Sequence, residues 1–261
     1  IGAARPAPGE QAHPRDAAQR CRHDGPQGAA ESAVKPVRRA RRSAVRNGAT
    51  VSLLLRQYTS KRSIPSSLRS LNGDADIADV WQTATLEQMN AIIVVLLATR
   101  SIDPSLVSRA VIDASRVAAD ASPATPEKRV VSAAFDSAVG WLAGRANVLD
   151  VLRELRRSGE VDVRRDPVAA AMWASAKSVV RFDSVDPEVL YEAKYMDDGY
   201  RETYLAKMAD LHSQESLNEL SFVSSGKSRS SKELHRVLCD TIRRHVTSEV
   251  VLRGIHAMEN R

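Results

Sequence analysis

The chain has 261 residues, is 43% hydrophobic but only 4% aromatic, and carries a net charge of +6. Its longest apolar run, Ala91–Ala98, is eight residues, far short of the roughly 20 that span a bilayer as a helix. Its two cysteines, Cys21 and Cys239, lie too far apart in unlike sequence to suggest a disulfide framework.

In chain order, residues 1–31 hold four basic and four acidic residues among Ala, Gly, Pro and Gln, with no apolar periodicity. Such composition reads as a low-complexity tail. Residues 32–73 contain no Asp or Glu but ten cations: Lys35, Arg38, Arg39, Arg41, Arg42, Arg46, Arg56, Lys61, Arg62 and Arg69. Val51–Tyr58 adds an apolar patch beside Arg56. This basic arm reads either as an organellar transit peptide or as a retained arm that neutralises RNA phosphates. Residues 74–261 balance 24 basic against 28 acidic side chains, which makes a mildly acidic body behind a basic arm.

The body reads as helices in pairs. The first pair is Leu86–Ser101 with Pro104–Ala119, its second helix opened by Asp103-Pro104, where Asp caps and Pro fits the first turn. The second is Pro126–Arg145 with Asn147–Ser158, stopped by Gly159. The third begins at Asp166-Pro167 and has a partner opening at Asp186-Pro187 and closed by Gly199. A linking helix, Tyr200–Leu211, leads to Gln214–Ser225 with Ser231–His245, and Ser248–Glu259 forms a last short helix. No segment alternates as a strand does.

Two observations point to repetition. Thr85-Leu86-Glu87-Gln88-Met89-Asn90 returns 128 residues later as Ser213-Gln214-Glu215-Ser216-Leu217-Asn218, without a gap through Leu106 and Leu234. Leu106, Leu149, Leu190 and Leu234 sit early in the second helix of each pair, 43, 41 and 44 residues apart. Two-helix repeats of that period stack into solenoids with extended binding surfaces. The expected fold is therefore all-α: stacked helix-hairpin repeats, α-solenoid-like, with an extended basic N-terminal arm. The rival is an irregular helical bundle.

The pattern of Thr85–Asn90 with Asp103-Pro104-Ser105-Leu106, and of Ser213–Asn218 with Ser231-Lys232-Glu233-Leu234, resembles the octotricopeptide and heptatricopeptide repeats of organellar RNA-binding proteins, including the FAST-kinase-like group. The resemblance covers about 86–245. It implies binding to organellar transcripts or ribosomal RNA. The C-terminal RAP module that often accompanies these repeats is not recognisable after His245, so no nuclease-like role is implied.

Little else suggests chemistry. Ser224-Ser225-Gly226-Lys227-Ser228 lacks the earlier glycine of a phosphate loop, since Ser221 stands there. Lys227, Arg229 and Lys232 remain candidate phosphate contacts. His235 and Cys239 are four apart on one helix without further ligands, which favours a packed thiol over a metal. Arg156-Arg157 and Arg243-Arg244 suit helix C-termini, or with Arg164-Arg165 a phosphate-facing edge. Asp197-Asp198 and the Asp74, Asp76, Asp79 group suit helix ends, and Trp81, Trp141 and Trp173 suit the core.

No nucleophile, base and orienting group can be placed together, so no enzyme, cofactor or metal is expected. The expected role is a structural subunit of a mitochondrial ribosome in the matrix, its arm on rRNA and its repeats on neighbouring proteins. Its rivals are a free organellar RNA-processing or stability factor and an accessory helical subunit of an inner-membrane energy complex.

Overall fold

A computed structural model describes residues 49–56, 66–159, 161–182 and 198–260, all within one compact unit, 46–261. Among the described residues there are eleven α-helices, one 3-10 helix and no strand. They are α1 (Val51–Arg56), α2 (Ser66–Arg69), α3 (Ile77–Thr83), α4 (Leu86–Ala98), α5 (Pro104–Asp120), α6 (Pro126–Leu142), α7 (Val148–Ser158), α8 (Pro167–Lys177), the 3-10 turn Ser178–Phe182, α9 (Asp198–Val223), α10 (Arg229–His245) and α11 (Ser248–Glu259). The protein is thus all-α, as its periodicity indicates.

The helix starts follow from short polar side chains. Asp76, Thr85, Asp103, Thr125, Asn147, Asp166, Ser228 and Thr247 each accept a hydrogen bond from a first-turn amide, satisfying a donor that the helix leaves orphaned. Thr85 with Gln88 and Asn147 with Asp150 form reciprocal capping boxes. Asp103-Pro104 and Asp166-Pro167 open α5 and α8 as expected, and Gly159, at φ +63°, ends α7. The caps of α6 and α8 are tied together, because the Thr125 hydroxyl donates to the Asp166 carboxylate. Lys128 closes α5 by donating from Nζ to the carbonyls of Ala119, Ser122 and Pro123 at 2.8–3.0 Å.

The core centres on α8, whose Ala169, Ala171, Ala174 and Ala176 are buried against α5, α6 and α9. Small side chains let these axes approach closely. Helix α5 runs antiparallel to α8: Ser108 Oγ donates to the Ser178 carbonyl at 3.0 Å and Ser115 Oγ to the Ala171 carbonyl at 3.3 Å. Ser216 of α9 donates to the same Ala171 carbonyl at 3.2 Å and lies 3.2 Å from Ser115. Three helices therefore meet at one carbonyl and two buried hydroxyls, so each buried polar group there has a partner.

A second tie joins α5 to α10. The buried Asp113 carboxylate bonds Arg116 at 2.6 Å and His245 Nε2 at 3.2 Å, with Arg244 at 3.7 Å. Below it, Trp81 of α3, fully buried, donates from Nε1 to the Val246 carbonyl at 2.9 Å. Arg243 spans the same junction, donating to the carbonyls of Trp81 and Ala84 at 3.1 and 2.9 Å.

Three expectations need correction. First, the arm does not extend to residue 73. Val51, Leu54 and Leu68 are fully buried, and residues 49–52 hydrogen-bond along 73–77, from Val51 N–H to the Ala75 carbonyl (3.1 Å) and from Ile77 N–H to the Ala49 carbonyl (3.0 Å). Among the described residues of the acid-free stretch, Ala49, Val51, Leu54 and Leu68 are core residues, so burial outweighs the cationic composition there.

Second, α9 is one helix of 26 residues. Gly199 lies inside its first turn, and no break separates Leu211 from Gln214. Ser213, the first residue of the second echoed segment, donates to the Ala209 carbonyl at 3.0 Å, a back-bond compatible with an unbroken helix.

Third, the echoed segments do not close as hairpins. Helices α4 and α5 barely touch each other, as do α9 and α10; α4 packs on α9 and α5 on α10. Asn90 Nδ2 donates to Asn218 Oδ1 at 2.6 Å, so the counterparts 128 residues apart meet face to face. Helices α6 and α7 do form a hairpin. The partner expected to open at Asp186-Pro187 lies outside the described residues.

Gly254 of α11 marks the closest approach to α4. A Cβ there would sit 2.8 Å from the Ser101 carbonyl oxygen and 2.9 Å from Leu96 Cδ2. Gly→Ala inside an ordinary helix stabilises by about 1 kcal/mol. Gly254→Ala is expected to reverse that sign and cost about 1–3 kcal/mol through overpacking, read from the midpoint of urea unfolding.

Candidate nucleic-acid interface

Most arginines on the body are already engaged. Arg153 pairs with Asp150, Arg157 with Glu154, Arg164 with Asp162 and Arg236 with Glu233, all on the surface. Arg243 bridges Asp240 and two carbonyls and is largely buried. Arg244 bonds Thr241 beside Asp113. The arginine pairs 243–244 and 164–165 thus supply mostly internal or local contacts, and no shared phosphate-facing edge. Of the four, Arg165 is exposed and acts on Asp162 only through its charge, without a hydrogen bond.

The entrance of α10 differs. Lys227, Arg229 and Lys232 are all exposed, and none has a partner among the described residues. Ser228 caps the helix by accepting from Ser231 N–H at 3.1 Å, and its hydroxyl lies within 3.0 Å of those of Ser230 and Ser231. Gly226 is required in the turn before it, since a Cβ would lie 2.4 Å from Ser231 Oγ and 3.0 Å from Ser231 Cβ. The first turn of α10 contains no acidic residue. Cations at a helix N-terminus oppose the macrodipole by about 0.3–1 kcal/mol each near the first turn. Three of them beside the helix start and its serine hydroxyls form a surface that an anion would relieve.

Sequence reasoning missed the aromatic that accompanies them. Phe222, in the last turn of α9, is 70% exposed, the one exposed aromatic among the described residues. It lines a shallow hollow of about 410 Å³ with Ser122, Pro123, Pro167, Val168 and Arg165. Two acids border the hollow. Asp166 is taken up by the caps it provides, accepting from Val168 and Ala169 N–H and from Thr125. Glu127 lies in the first turn of α6. The signal for Phe222 was its position five residues before Lys227, but helical periodicity alone could not tell that its face is bare.

The remaining expected contacts divide. Arg56 and Arg69 are exposed in the last turns of α1 and α2, where a cation suits the dipole. Lys35, Arg38, Arg39, Arg41, Arg42, Arg46, Lys61 and Arg62 lie outside the described residues. Trp81 is buried; Trp141 and Trp173 are half-buried under Arg109 and Lys177, at 5.1 and 5.8 Å from the ring centroids. His235 accepts from or donates to Ser224 Oγ at 3.1 Å, and no group of three or more His, Cys, Asp or Glu among the described residues is arranged to hold a metal. No family model, characterised protein or solved structure matches this chain.

Cys239 is buried beneath α4, and desolvation pushes its thiol up to about 11. Because the thiolate is the reactive form, Cys239 is expected to resist alkylation at pH 8 in the native protein and to label fully in denaturant, read on its own peptide by mass spectrometry.

Proposed function

We propose that this chain is a non-catalytic, RNA-binding structural subunit of an organellar ribonucleoprotein, most concretely of a mitochondrial ribosome in the matrix. The observation that carries the reading is the exposed cluster Lys227, Arg229 and Lys232, without partners among the described residues and preceded five residues earlier in the chain by exposed Phe222, on a body whose other arginines are mostly neutralised by neighbours. Cations that track a backbone beside an aromatic platform are how proteins hold single-stranded nucleic acid. The acid-free run of cations from Lys35 to Arg46 supplies a second source of phosphate neutralisation. The repeat resemblance points to the same ligand class, with the helical body serving as the surface for neighbouring ribosomal proteins.

The triple variant Lys227→Glu, Arg229→Glu, Lys232→Glu separates binding from folding, because acids at a helix start favour the dipole. It is expected to fold at least as stably as the parent, to bind single-stranded RNA more weakly, and to lower the slope of log affinity against log salt by about 2, at roughly 0.7 per phosphate lost. Fluorescence anisotropy across a salt series reads both. An unchanged slope rejects the α10 entrance as an RNA contact.

Phe222→Ala tests the aromatic. Its loss is expected to weaken RNA binding by about 1–3 kcal/mol with the salt slope intact, the signature of lost stacking. At the level of the assembly, sedimentation of undigested lysate is expected to place the protein with large rRNA and nuclease to release it. RNA-bound but ribosome-free sedimentation would instead support the free processing factor, and nuclease-insensitive assembly the membrane-complex subunit.

A further inference from the structure

A second concavity lies away from the α10 entrance, between α7, α8, the 3-10 turn and the N-terminal half of α9, with a volume of about 260 Å³. Its walls are apolar: Leu155 from α7, Trp173 from α8, Val180 from the 3-10 turn and Met208 from α9. For scale, an apolar cavity of about 150 Å³ stays dry and takes up benzene. This hollow therefore has room for a hydrocarbon or aryl group of about eight carbons.

Its polar side chains are Arg156, Lys177, Tyr204 and His212, two of them cations. Lys177 projects along Trp173, with Nζ 5.8 Å from the ring centroid. Arg156 borders the hollow without an acidic partner among the described residues, since neighbouring Arg157 takes Glu154. The acid facing this cluster is Glu215 of α9, which bonds His212 Nδ1 at 2.8 Å and only partly offsets the Lys177 charge. Burial lowers the pKa of Lys177, with Glu215 acting against it, and burial and Lys177 together lower that of His212. His212 is then neutral at pH 7 and donates to Glu215, leaving two cations against one carboxylate around an apolar floor.

We propose that this hollow binds a small amphipathic carboxylate, its hydrocarbon or aryl part against Leu155, Trp173, Val180 and Met208 and its carboxylate between Lys177 and Arg156. The ligand supplies the counter-charge the site lacks and the apolar surface that covers the walls. The site is independent of the RNA reading, and its test does not involve RNA.

The test is titration of the full chain with octanoate, with octanol as the neutral match, at pH 7 and below the micellar range, followed by tryptophan fluorescence. Octanoate is expected to saturate the signal with at least tenfold higher affinity than octanol. Lys177→Met, which keeps the stem length, and Arg156→Gln, at an exposed position, are each expected to weaken octanoate about tenfold and leave octanol unchanged, with circular dichroism reporting an intact fold. Trp173→Phe is expected to remove the fluorescence response and Trp141→Phe to preserve it. Equal affinity for octanol, undiminished octanoate binding in Arg156→Gln, or a response that survives Trp173→Phe overturns the proposal. The α10-entrance triple variant is expected to bind octanoate as the parent does, which keeps the two sites separable.

Discussion

The close approach of α8 to α5, α6 and α9 is the constraint on which the rest of the structure depends. Four buried alanines line α8, so its neighbours approach without a layer of bulky side chains between them. At such distances a polar side chain cannot escape to solvent. The hydroxyls of Ser115 and Ser216 are therefore held on the Ala171 carbonyl. An Ala-to-Leu change along this helix would meet backbone on three sides, and removing a serine hydroxyl would loosen a shared contact, not a single pair. The scarcity of aromatic residues is the compositional side of the same arrangement.

Holding α8 in that position also decides where the echoed segments go. With α5 and α9 both laid against α8, α4 is brought onto α9 and α10 onto α5. Each half of the echo then completes its apolar face on the other half. Asn90 and Asn218 mark the meeting point, and the side-chain oxygen Oδ1 of Asn90 is buried there without a hydrogen-bond partner among the described residues. Faces that a helix-hairpin repeat would offer to the next repeat are used here within the molecule. Among the described residues, the two surfaces proposed for other molecules are the turn between α9 and α10 and the hollow between α7 and α9.

These two surfaces divide the electrostatic labour. At the α10 entrance, three cations stand against a helix dipole with no acid in the first turn, the next carboxylate, Glu233, being paired with Arg236, an arrangement that suits the proposed polyanion. In the hollow beside Trp173, two cations border an apolar floor, which suits the proposed ligand, a single negative charge with hydrocarbon attached. Elsewhere on the surface, pairs three residues apart along a helix mute the arginine charge. Net charge alone does not distinguish these three environments.

The sequence by itself determined the helical class and most of the helix starts. Period-3.6 burial and Asp-Pro, Thr or Asn caps act within a turn or two, and Asp103-Pro104, Asp166-Pro167 and Gly159 function where they were read. It also marked Lys227, Arg229 and Lys232, because an uncompensated cluster within six residues is a local property. Tertiary structure alone decided the rest. Whether Ser213 caps or back-bonds, whether Val51 and Leu68 serve an arm or the core, and whether Phe222 is covered depend on which helix lies opposite. So does the partner choice of α4 and α5: a repeat in sequence records similar amphipathic faces, and any face of that kind can be satisfied by the next hairpin or by its own counterpart. The small-residue surface of α8 settles that choice, through contacts between residues 45 to 101 positions apart that no local pattern encodes.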